Sequence, residues 1–112
     1  MIKRFDQFDD TTQTIKDILL ELEDNGFNIE YKFKNNEIDS ITISKQKSKF
    51  FIEEIEDYLQ RVSRFLDKSI ECEIQNKYGL TREINFHVFP NNVYYSFGWT
   101  GKRVSKIKLH IQ

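Results

Sequence analysis

The chain has 112 residues, 38% of them hydrophobic, 31% charged and sixteen of them Phe, Tyr or Trp. That is core material for one folded domain over 1–112 and excludes a disordered chain. The net charge is −1, but residues 1–60 hold eight Lys/Arg against fourteen Asp/Glu (−6) while residues 61–112 hold nine against four (+5), so the two halves attract on folding.

From the N-terminus, residues 1–10 alternate charged and aromatic side chains, and Phe5 and Phe8 are expected to tuck under a sheet or to staple the first helix. Asp10, Thr11 or Thr12 can cap that helix, whose apolar stripe Ile15, Ile18, Leu19 and Leu22 recurs at helical spacing and ends at Asn25-Gly26. Phe27, Ile29, Tyr31 and Phe33 then alternate with polar residues, and Asn35-Asn36 turns the chain into a second strand over 38–44. Pairing Tyr31 with Ile41 and Ile29 with Ile43 joins the apolar residues through a three-residue loop over 35–37. After a basic connector over 45–49, Ser48 can cap a second helix bearing Phe51, Ile52, Ile55, Leu59, Val62 and Leu66 on one side. Its early acids and late Arg61, Arg64 and Lys68 suit the helix dipole.

The remainder reads as four strands. A loop over 77–81 sets Ile74 against Ile84, Cys72 against Phe86 and Ile70 against Val88. A turn at Asn91-Asn92 sets Val88 against Tyr95, Phe86 against Phe97 and Ile84 against Trp99. A wider loop over 100–104 sets Phe97 against Ile107, Tyr95 against Leu109 and Val93 against Ile111. The expected fold is α+β, two helices packed on one face of an antiparallel sheet, in the order αββαββββ with a C-terminal four-stranded meander.

The longest apolar runs, at 18–20 and 50–52, are too short for a membrane span or a signal-peptide core. Cys72 has no second thiol for a disulfide, which fits a reducing, cytoplasmic setting. Alanine is absent, while Ile, Lys and Asn supply 34 residues, a bias toward AT-rich codons that points to a low-GC bacterium or one of its phages.

Chemistry is sparse. No nucleophile elbow, zinc-protease motif, phosphate loop or paired CxxC occurs, no segment is expected to build a pocket, and Cys72 falls on the core face. Glu71, Glu73 and His87 share the meander's outer face, from which a metal or acid/base site can be drawn, but ordinary surface pairing of a cross-strand carboxylate and imidazole is the stronger reading. The stretch 98–103, with Lys102 and Arg103, could hold an anion through a glycine-bearing loop but has no helix behind it. Phe89 and Tyr94 with Lys106, Lys108 and His110 would form an aromatic and basic face able to stack single-stranded bases, against which the acidic pI near 6.1 counts. The reading is therefore a non-enzymatic protein-interaction module without cofactor or metal, binding a host or viral protein through Phe89, Tyr94, Lys102, Arg103, Lys106, Lys108 and His110. A single-strand nucleic-acid binder is the alternative, and a terminal strand at the sheet edge would also permit a homodimer.

Overall fold

A computed structural model describes residues 2–45, 47–76, 79–80, 84–95 and 103–112. Among these residues two helices, α1 (Ile2–Asp24) and α2 (Glu56–Leu66), lie with nine strands. These are β1 (Phe27–Lys34), β2 (Glu37–Lys45), β3 (Phe50–Phe51), β4 (Ile70–Asn76), β5 (Gly79–Leu80), β6 (Phe86–Phe89), β7 (Asn92–Tyr95), β8 (Arg103–Val104) and β9 (Lys106–His110). The main sheet is antiparallel in the order β1-β2-β9-β4-β6-β7, with β5 pairing the end of β4, and β3 pairs β8 in a separate ribbon. Helix α1 packs over β1 and β2, and α2 over β6 and β7, so the class is the expected α+β. No helix among the described residues is long and apolar enough to cross a membrane.

Helix α1 begins well before the expected caps at Asp10 to Thr12. No Gly or Pro interrupts residues 2–12 and the cap residues tolerate helix interiors, so the helix propagates through them. The side chains of Phe5 and Phe8 lie outside the described residues. The stripe Ile15, Leu19 and Leu22 is buried as its spacing requires, and the helix stops where Gly26 takes a φ of +91°.

The first hairpin pairs Tyr31 with Ile41 and Ile29 with Ile43 as expected, but its loop is two residues rather than three. Asn35 and Asn36 both hold positive φ, 54° and 65°, which a tight turn of matching twist needs. The extra residue becomes a bulge: Lys32 faces Ser40 and Phe33 faces Ile38, leaving Asp39 unmatched. The Asp39 carbonyl then accepts the Ile111 amide at 2.9 Å and the Gln112 amide at 3.3 Å.

Ser48 does not cap α2. The chain first makes β3 and a 3₁₀ turn over Ile52–Glu54, where the Phe51 amide donates to Glu54 Oε2 at 2.8 Å. Ile52, Ile55, Leu59 and Val62 are nonetheless fully buried, because the same apolar side is kept through the turn and the helix. At the other end Asp67 adopts the left-handed conformation, and the Lys68 amide closes back on the Ser63 carbonyl at 3.2 Å.

The C-terminal half departs most from expectation. Ile70 faces Val88 and Cys72 faces Phe86 as the pattern demands. Ile74 does not face Ile84: β5 takes the end of β4, and buried Asn85 bridges the change of partner. Its backbone amide donates to the Cys72 carbonyl and its Oδ1 accepts the Ile74 amide, both at 2.8 Å. The next turn is Pro90-Asn91 rather than Asn91-Asn92, so Val88 faces Val93 and Phe86 faces Tyr95. Proline's fixed φ suits the first turn position, and a slip of two residues keeps every side chain on its face. The pairings proposed for Phe97 and Trp99 lie outside the described residues.

β9 is not the fourth strand of a meander. It lies between β2 and β4, with Leu109 flanked by Ile41 and Cys72 and Ile107 by Ile43 and Ile74. Strands β2 and β4 are thus parallel, joined through α2 as a split β-α-β unit. A helix about 10 Å across spans two strand spacings of about 4.8 Å, so this crossover leaves a slot one strand wide. Alternating Ile107, Leu109 and Ile111 fill it, all at most 5% exposed. The apolar face of the whole sheet then reads in rows, such as Tyr31, Ile41, Leu109, Cys72, Phe86 and Tyr95.

Candidate interaction surface

Alternation along each strand sends a second set of residues to the sheet's outer face, away from the helices. One row across it reads Lys32, Ser40, His110, Glu71, His87 and Tyr94. The next reads Glu30, Thr42, Lys108 and Glu73, and the third Asn28, Ser44, Lys106 and Gln75. The basic strand β9 therefore sits directly beside the acidic strand β4 instead of at the far side of a meander. His110 Nε2 meets Glu73 Oε1 at 2.8 Å.

This order separates the residues singled out in the sequence. Lys106, Lys108 and His110 are in the third strand of the sheet, whereas Phe89 and Tyr94 lie on β6 and β7, across Glu71 and Glu73. The continuous aromatic and basic strip that single-strand stacking requires is interrupted by these acids. Arg103 belongs to the separate β3–β8 ribbon, its guanidinium 5.4 Å from the Phe51 ring centroid. Lys102 lies outside the described residues. The expected free edge at β9 is also absent, since both of its sides are paired, and the edges of the main sheet among the described residues are β1 and β7.

Near the β7 edge the geometry is more suggestive. His87 and Phe89 stack at 6.2 Å between ring centroids with planes 21° apart, and Tyr94 is the cross-strand partner of His87. Phe89 is 40% exposed and Tyr94 67%, so three rings form an outward aromatic patch. The strands beneath are tied to α2 by hydrogen bonds. Arg64 of α2 donates to the Pro90 carbonyl at 2.6 Å, fixing the β6–β7 turn. The Tyr95 hydroxyl donates to the Glu56 carboxylate, and burial, followed by that carboxylate, pushes its pKa well up.

Glu71 does face His87, yet Glu73 is engaged by His110, and no three His, Cys, Asp or Glu side chains among the described residues are grouped to hold a metal. Cys72 is fully buried and its thiol pKa is raised by desolvation, as suits core filling.

Sequence reasoning expected no pocket, and the structure has depressions. A cleft of about 450 Å³ opens between α1, the end of α2 and the first hairpin, lined by Ile15, Ile38, Leu66 and Ile111 among others. A second, of about 290 Å³, lies on the outer face around Lys106 and Lys108. Both are assembled from segments distant in the chain, and no local pattern announces them. A scan against protein-family models finds no match to the chain, and comparison with curated proteins and with solved structures likewise finds none.

Proposed function

We propose that the protein is a non-enzymatic interaction module that binds another protein through the β6–β7 edge. The observation that carries this reading is the exposed pair Phe89 and Tyr94 on the outer face at edge strand β7, whose far side has no partner strand among the described residues. Aromatic side chains at a strand edge supply the two ingredients of strand addition: backbone groups that pair with an incoming strand, and apolar anchors that give it register. Burying each ring would contribute about 1.5–3 kcal/mol, the scale of an interface hot spot. The partner is a host or viral protein, consistent with a small accessory protein of a phage or a low-GC bacterium, and pairing with a second copy would use this same edge.

The test is affinity capture from the native host's extract with the wild-type chain and with Phe89→Ala/Tyr94→Ala, each checked for folding by circular dichroism. A protein retained by the wild type and lost by the folded double variant supports the reading. Equal retention by both, or recovery of nucleic acid alone, would sink it.

A further inference from the structure

The 290 Å³ depression on the outer face is built by four strands: Glu30 and Lys32 from β1, Thr42 from β2, Lys106 and Lys108 from β9, and Gln75 from β4. It lies across β4 from the aromatic patch and plays no part in the protein-binding reading. Three lysines line it, and among the described residues none of them has a carboxylate within ion-pairing distance. The ion pairs among the described residues are Lys45–Glu54, Arg61–Asp57 and His110–Glu73. Glu73, which stands directly opposite Lys108 in the register, is taken by His110 at 2.8 Å. Lys106 and Lys108 are two residues apart on one face of a strand paired on both sides, so their stems cannot separate far. Like charges held together without a counter-ion favour an anion between them.

We propose that this depression binds a compact, multivalent phosphate anion. Lys106 and Lys108 supply the principal counter-charge as compact point charges, and Lys32 closes the site from β1. The Thr42 hydroxyl and the Gln75 amide donate to the remaining oxygens. Carboxylates decide the ligand's size. Glu30 stands on one margin, and Glu71 and Glu73 stand on the β4 side, so an extended phosphodiester track crossing the sheet would run into negative charge while a compact ion would not.

The probe is inorganic pyrophosphate, titrated into the full-length ¹⁵N-labelled chain at constant ionic strength and followed by amide chemical shifts. Saturable shifts at Thr42, Gln75, Lys106 and Lys108 are expected. Lys106→Gln/Lys108→Gln should weaken binding at least about tenfold, and Lys106→Arg/Lys108→Arg, which keeps both charges, should retain it and guards against loss of fold. Lys34→Gln/Lys47→Gln removes two exposed lysines outside the depression and should leave affinity unchanged. Failure to saturate by ~10 mM, equal weakening by the two glutamine pairs, or shifts confined to other surfaces would overturn the proposal. A single-stranded oligonucleotide that competes for the site and binds more tightly than pyrophosphate would overturn the compact-anion assignment.

Discussion

With β9 seated between β2 and β4, Leu109 has no exposure and stands directly opposite Ile41. Truncation to alanine removes most of a buried side chain and leaves a void that closely packed neighbours fill only in part, costing about 2–5 kcal/mol. For 112 residues the unfolding entropy is about 0.24 kcal/mol/K, so Tm should fall by about 9–20 °C. That loss alone does not report on topology, since a core residue in any arrangement would be costly. A pair of double-mutant cycles does. Directly opposed residues couple, so Ile41→Val with Leu109→Ala should depart from additivity by at least about 0.5 kcal/mol. Tyr95, three strands from Leu109 and thus about 14 Å away, should combine with it additively within ~0.5 kcal/mol as Tyr95→Phe. Urea unfolding of the three single and two double variants measures both. Coupling to Tyr95 without coupling to Ile41 would refute the central placement of β9 and restore the meander.

Asn85→Ala should destabilise by about 1–3 kcal/mol, because the Ile74 amide loses its acceptor inside the sheet; a change under about 0.5 kcal/mol in chemical denaturation would show that the bridge is dispensable. Asn36→Gly should be neutral or stabilising and Asn36→Val destabilising by about 1 kcal/mol or more, since the residue sits at φ 65°, a test read from thermal melts. The Tyr31 phenol, pushed up to about 12 by burial and then by Glu23, is neutral in the folded state where an unfolded one ionises near 10. Its contribution to stability is therefore intact below about pH 10 and is lost as pH rises toward 12, and Tyr31→Phe should flatten that part of the alkaline stability profile. Cys72 should resist a thiol reagent until the protein unfolds, and labelling at the rate of a free thiol in the native state would contradict its burial.

Local information determined much of this protein. Apolar spacing of three and four put Ile15, Leu19 and Leu22 on one side of α1, and apolar spacing of two identified the cores of β1, β2, β4, β6 and β9. The pairings Tyr31 with Ile41, Cys72 with Phe86 and Ile70 with Val88 follow because a slip of one residue would turn an entire row to water. The same logic is blind to slips of two, which preserve the face, and the turn at Pro90-Asn91 differs from expectation by just such a slip. It is also blind to which strand lies beside which: Leu109 satisfies the apolar face equally well against Tyr95 or against Ile41. That choice was made by tertiary geometry, in which a helix-wide crossover from β2 to β4 leaves one strand's width open and the C-terminal strand is the segment available to fill it. The candidate surfaces inherit the decision. Phe89 and Tyr94 were legible as outward residues from alternation alone, but their separation from Lys106 and Lys108 by an acidic strand, and the depression those lysines line, exist only because β9 is central.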